Sequence, residues 1–473
     1  MKKTLILVTL LISFASFSQD KATLDKLFDS ANKKFDEKDY RGSYQEYSNY
    51  LDKNATNADA WYNRGLCAYD MLDYKSALND FTKSLELKKA ADAYYNKGLC
   101  LYQLAKYNDA ISEFDNAIAL NGIYYQAFTF KAASLNELKR YNEALTLLNK
   151  VVAIAPDYEY GYHHRSITKY NLADYNSSIA DCNKALSLKV YYDTYFWRGL
   201  NYIAIKNQKD AIKDYDTVIA HSPKYDLAYY NRAIAYYDMK EYEKSLADNT
   251  RAIAINPKKP EAYYNRALAK YELAKYKDAE PDFNAAIDLS TDNALYYNWR
   301  GANFYEQGKY NEALKDLNVS IEKNKKNENA YYYRALTKYA LFDDAGVVED
   351  CTSALTLKKS SDTYYQRGIS RYMLKQYDEA ILDFNESLKL KPNYELAILE
   401  RGVVYYTLAK DDLAMADLNN AAGINPKNSR TFYYRGLLKS ATNDATGACK
   451  DLKQAQLLGD KNAVVELTKN GCK

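Results

Sequence analysis

SDTYYQRGISRYMLKQYDEAILDFNESLKLKPNY, residues 361–394, is the stretch whose reading decides the fold. Tyr364, Gly368 and Tyr372 recur every four residues and so share one face of a helix. Lys375 and Gln376 break that pattern, and Asp378 and Glu379 follow where a helix N-terminus favours negative charge. A second apolar stripe runs through Ala380, Phe384, Ser387 and Leu388 until Pro392 stops it. Small residues at Gly368 and Ala380 let the two helices cross closely, with Tyr364 and Phe384 expected to fill the space beside that contact. Neither helix buries its stripe alone, so the unit requires neighbours.

The chain supplies them. Equivalent units start at Leu24, Ala58, Ala91, Tyr125, Glu159, Tyr192, Asp226, Pro260, Ala294, Glu328, Ser361, Glu395 and Ser429, 13 copies spaced by 33 or 34 residues. The eighth place is always small, and the twentieth is Ala or Ser except at Val347. Five of the 7 prolines stand at the stop position. This pattern resembles the tetratricopeptide repeat over residues 24 to about 461. The resemblance implies an all-α, right-handed superhelical solenoid of helical hairpins. It also implies that first helices line a concave groove that binds peptides or proteins.

The chain divides into residues 1–18, the solenoid over 19–461 and a C-terminal capping helix over 462–473. Residues 1–18 combine Lys2-Lys3, a short apolar run and small residues, which reads as a secretory signal peptide. Export to a periplasm or the medium follows as an expectation, with an envelope component as one possible role and no transmembrane segment after signal cleavage. Lys plus Arg number 65 against 62 Asp plus Glu, a balance that argues against nucleic acid as partner. Pro281, early in a second helix, deprives the Lys277 carbonyl of its partner and predicts a slight bend. Asp343–Gly346 and Thr442–Gly447 depart from the usual turn sequence and read as local variations of curvature.

Two further patterns recur. The seventh place is basic in 12 copies, from Arg64 to Arg435, and the twenty-third is acidic in 12, from Glu46 to Asp451. Half-buried charges require partners, so these places predict a ladder of ion pairs between first and second helices. The partner of Arg232, Asp248 or an acid of a neighbouring repeat, is left open. Cys449 and Cys472 flank a turn at Gly459-Asp460 at matched heights and predict a disulfide in an exported protein. Cys67 and Cys100 occupy equivalent places too far apart to bridge, and Cys182 and Cys351 take the core place of Phe384.

Catalytic signals are absent: there is no phosphate loop, nucleophile elbow or zinc spacing, and adjacent His163 and His164 diverge on a helix. The expectation is a non-enzymatic scaffold without metal or cofactor that binds a protein or peptide. A glycan or cell-wall binder and a self-assembling solenoid are the alternatives. The family implies that the fifth, ninth and twelfth places face the groove. Tyr62, Tyr95, Tyr230 and Tyr264 take the fifth place, and Tyr69, Tyr102, Tyr237 and Tyr271 the twelfth. Such tyrosines either contact a ligand or join one repeat to the next. Between Tyr125 and Gln208 the pattern breaks. Thr129 and Asn136 form a polar notch there, beside His163 and Phe196, while Phe130, His164 and Trp197 replace the Asn of neighbouring repeats. This is the candidate anchor site.

Overall fold

The computed structural model describes residues 22–472, all helix and turn, so the proposed signal peptide lies outside the described residues. A helix over residues 22–36 (α1) and α2 (Tyr40–Leu51) form the first hairpin. Twelve more hairpins follow in order to α25 (Ser429–Ala441) and α26 (Ala445–Leu457), and α27 (Asn462–Lys469) closes the series. The chain forms two compact units, up to Ala235 and from Tyr236, so the division falls inside α13 (Asp226–Asp238).

One turn geometry joins the two helices of every hairpin. In the reference repeat α21 (Ser361–Met373) ends as Lys375 turns to φ 62°, and Gln376 begins α22 (Tyr377–Leu390). The same left-handed place is filled by a non-glycine residue in the other repeats, Gly308 excepted. The departures expected at 343–346 and 442–447 keep this turn. Phe342 and Asn443 take the left-handed place, and the carboxylates of Asp343 and Asp444 accept from the N–H of Gly346 and Gly447, each at 2.9 Å.

Close crossing depends on the small eighth place. A Cβ on Gly368 would stand 2.8 Å from the Phe384 ring, and one on Gly98 would stand 2.6 Å from Phe114. These second-helix rings are wholly buried, as are Cys182 and Cys351 at the same place. Cys67 and Cys100 are likewise buried and free. The helix α16 (Tyr276–Leu289) runs through Pro281 without interruption.

The ladder connects the first helix to the second of the same repeat, sixteen residues on. Arg64 donates through Nε and Nη2 to Asp80 at 2.9 and 2.7 Å, and Arg334 donates to Asp350 in the same bidentate way. The third arm reaches back. Arg334 Nη1 donates to Asn318 of the preceding second helix at 2.7 Å, and Arg435 to Asn419 at 3.0 Å. Each guanidinium therefore ties two repeats together. Below most of them lies an aromatic ring at the fourth place, as with Arg367 over Tyr364 at 5.6 Å and Arg64 over Trp61 at 4.6 Å, while Arg401 has Ile398 there. Tyr364, expected to fill space beside Gly368, thus carries the ladder cation. Where Leu147 removes the acid, Lys131 pairs backwards with Asp115. Arg232 also bonds the preceding repeat's Asp216.

Burial and hydrogen bonding compete at Asp80 and Asp451, with opposite outcomes. Desolvation raises the Asp80 carboxyl despite Arg64. At Asp451 burial pushes upward too, but hydrogen bonds from Arg435 and Lys439 outweigh it and hold this carboxyl below its usual range. At the chain end Cys449 and Cys472 are joined, with Cα atoms 5.4 Å apart. Cys472 stands beyond the end of α27, after left-handed Gly471, and its N–H bonds the Leu467 carbonyl at 3.0 Å. No described helix is long and apolar enough to cross a membrane.

Candidate binding cleft

Repeats two and three show what the groove tyrosines do by default. The Tyr62 ring packs 5.6 Å from Phe81, and its hydroxyl accepts from Asn96 of the next repeat at 2.9 Å. Asn63 likewise donates to Tyr47 of the preceding repeat at 3.0 Å. At Asn63 and Asn96 the sixth place is thus a bolt between repeats, whereas Asn231 bonds the Leu227 carbonyl of its own helix. Burial pushes the Tyr62 phenol up to about 12. Tyr264 packs 6.3 Å from Phe283 and 4.9 Å from Tyr296. Twelfth-place tyrosines lie edge-on to the first residue of the following helix: Tyr69 on Tyr74, Tyr237 on Tyr242 and Tyr271 on Tyr276, at 5.2 to 5.4 Å. The tyrosine rows are therefore joints within and between repeats, and Tyr230 is half-buried like the rest.

The middle of the first unit differs because rings replace the bolt. Phe130 turns its ring to Tyr95 and Tyr102, 6.0 and 6.2 Å away, and the His164 ring lies 5.8 Å from it, tilted by 60°. Trp197 meets Tyr170 edge-on at 5.6 Å. These rings wall a cleft of about 660 Å³, with side chains from α5 (Ala91–Gln103), α7 (Tyr125–Glu137), α9 (Glu159–Asn171) and α11 (Tyr192–Ala204). The lining includes Tyr102, Phe130, Asn136, His163, His164 and Trp197. Four successive first helices face this one space.

Its polar groups are held in place. Asn136 donates to the Thr168 hydroxyl at 2.8 Å. His163 Nδ1 lies 2.9 Å from the Thr194 hydroxyl, and its Nε2 is 3.4 Å from the Asp193 carboxylate. Burial, with His163 beside it, pushes the His164 imidazole down to about 3, so that ring stays neutral. Tyr102 is pushed up to about 12 by burial.

Two expected members stand elsewhere. Thr129 is fully buried and donates to the Tyr125 carbonyl of its own helix at 2.8 Å, so the notch is formed by Asn136 without it. Phe196 is 6 % exposed and packs into the core with Tyr215 and Tyr225, away from the lining. Sequence reading also missed Tyr160, Tyr191 and Asp193 of this cleft. Their second-place and loop positions follow from the family spacing once the second place is counted as inward-facing.

The second unit replaces the sixth-place Asn as well. Trp299 lies 5.4 Å from Tyr271 and 6.4 Å from Tyr333, whose hydroxyl bonds that of Tyr271 at 3.2 Å. Glu400 takes the same place further on, buried and paired with Arg430, with burial raising its carboxyl. Ring substitution is therefore not confined to three repeats. A further cleft in the first unit, about 750 Å³, lies between Tyr192 and Tyr225 at one hairpin's end. It is larger, but it draws on one repeat boundary only and gathers none of the expected site residues.

Tetratricopeptide-repeat models match residues 58–89, 227–259 and 361–394, and again 97–159 and 264–328. No curated protein matches the sequence. Among solved structures, the APC/C hetero-tetramer Cut9–Hcn1 is 14% identical with a TM-score of 0.50, covering 91% of this chain and 99% of that one. Yeast Tom70 is 15% identical (TM-score 0.37, 88% and 95% covered). The C-terminal part of a repeat protein from Cytophaga hutchinsonii is 20% identical (TM-score 0.41, 49% and 95% covered). On both sides of the unit division, the matched stretches of this helical-hairpin frame are tetratricopeptide repeats.

Proposed function

We propose that this protein is an exported, non-enzymatic scaffold that holds a segment of another protein or peptide in the cleft at Phe130, His164 and Trp197. The observation that carries the reading is the convergence of four first helices on one ring-walled space, where the two preceding repeats spend the same place on bolts. Rigid rings beside a fixed amide suit a side-chain anchor, because aromatic contacts dominate binding at low entropy cost. The repeat architecture, generally used for protein association, supports the same reading. Export to a periplasm or the medium, in an envelope role, is favoured by the apolar start of the sequence and by the Cys449–Cys472 bridge.

A photo-crosslinking amino acid replacing Lys139 at the cleft rim tests this in a periplasmic extract, against the same label replacing Phe342 on a distant turn. Protein adducts at position 139 alone are expected. Adducts at twice the chain mass would favour self-assembly. Retention on cell-wall polysaccharide without any protein adduct would favour the glycan reading.

A further inference from the structure

The charges around the cleft give it a preference that rings alone do not. Glu137 and Asp193 line it, at the thirteenth and second places of their helices. In the two preceding repeats these places hold Asp59, Asp70 and Asp92. From repeat two to repeat six no Lys or Arg occupies either place. The seventh-place arginines of these repeats are committed to the ladder, with Arg165 on Asp181 and Arg198 on Asp214, and Arg140 is paired with Glu143. The chain's net charge of +3 therefore does not describe this surface.

Within the cleft Lys139 is the one lysine of the lining and stands on an exposed turn at the rim. His164 is neutral, as shown above, and adds no repulsion toward a cation. The Asp193 side chain remains 40 % exposed while it faces His163, and Glu137 is exposed with no ion pair among the described residues. Indole and phenyl faces attract a cation that nearby carboxylates can neutralise.

We infer that the cleft takes a lysine or arginine side chain of its protein partner, set against Trp197 and Phe130 with Glu137 and Asp193 as counter-charges. This rests on the peptide-binding reading and adds the chemistry of the anchor. The partner segment is then basic.

The test is selection of random dodecapeptides on phage against the full chain, followed by affinities of the synthesised peptides at two salt concentrations. Selected peptides should be enriched in Lys and Arg. Changing that residue to Gln, or introducing Glu137→Gln with Asp193→Asn, should each weaken binding by about tenfold, and higher salt should do the same in part. Glu137→Lys, at an exposed position, should weaken it further while leaving the helical circular dichroism unchanged. Peptides that need Trp197 yet show no basic enrichment would overturn this inference and leave the peptide-binding reading standing. Basic peptides bound within twofold by the double variant would also overturn it. If no peptide is selected, or Trp197→Ala has no effect, both readings fall.

Discussion

Arg64→Met separates the worth of a ladder rung from the worth of burial around it. Asp80 and Asp350 are equally buried, each 1 % exposed, and each takes a bidentate arginine. They differ in one respect. Asp350 has a second cation, Lys338, at 2.9 Å, whereas the corresponding place beside Asp80 is Ala68. Removing Arg64 strands a buried carboxylate and should cost about 3–5 kcal/mol. Removing Arg334 leaves Asp350 paired and should cost only the lost charge-assisted bonds, about 1.5–3 kcal/mol. Repeat arrays do not melt as one unit, so the measurement is hydrogen exchange of the two hairpins, each against its own wild-type value. The pH dependence gives a second check. Asp80 already lies above its usual range when folded, and losing Arg64 raises it further. A carboxyl raised by folding contributes stability fully present below its unfolded pKa of about 3.9, and this is lost as pH rises through the folded value. The Arg64→Met penalty should therefore shrink as pH falls from neutral toward 5. Adding Asp80→Leu should restore much of the loss at pH 7. Equal penalties at the two sites, or one that grows on acidification, would refute the reasoning.

Phe342 holds φ 62° at a turn and is 91 % exposed, so Phe342→Gly should stabilise its hairpin by about 0.5–1 kcal/mol in urea titration. Gly98→Ala drives a Cβ into Phe114, and a loss of about 1–3 kcal/mol is expected from local hydrogen exchange. Opening the Cys449–Cys472 link by paired serine substitution should loosen the final hairpin by about 3 kcal/mol for a loop of this length, read as lost protection in α26 and α27. Asp451 lies below its usual range, so its contribution is present above pH about 3.9 and lost as pH falls through the folded value. Lys439→Met should move that loss to higher pH, seen by carboxyl titration in NMR.

Much of this was legible because the repeat states each requirement thirteen times. A residue type recurring at a fixed place shows what the place demands, which is how the small eighth place and the ladder could be read without coordinates, while the tyrosine rows stayed open between ligand contact and joint. The direction of a side chain on a crowded helix was not legible. Thr129 and Asn136 look alike as polar replacements, yet Thr129 is short enough to bond its own helix carbonyl and turns inward. Phe196 sits beside Trp197 in sequence, but about 100° around the helix separates the core side from the cleft side. The fourth-place aromatics were misread as filler because nothing in a single unit reveals that a guanidinium three residues on will lie over them.

On the proposed reading, the sixth place sets where binding is possible. Asn63 and Asn96 each use the side chain to reach a tyrosine of the preceding repeat, Tyr47 on its second helix and Tyr62 on its first. The side chains of Phe130, His164 and Trp197 make no such bond among the described residues, so an inter-repeat hydrogen bond, worth about 1 kcal/mol, is exchanged there for a half-buried aromatic wall. One exchange alone would be a surface defect. Phe130, His164 and Trp197 make it in three successive repeats, and the ladder arginines still tie those repeats together, Arg165 through Asn149 and Arg198 through Asn183 of the preceding second helices. The scaffold can therefore give up bolts in the middle of the first unit and keep its spacing. Position-by-position restoration tests this: Phe130→Asn, His164→Asn and Trp197→Asn together should raise the stability of α7, α9 and α11 to hydrogen exchange while abolishing peptide capture. A triple variant that gains no protection, or still captures peptide, would show that the sixth place is not where stability is exchanged for binding.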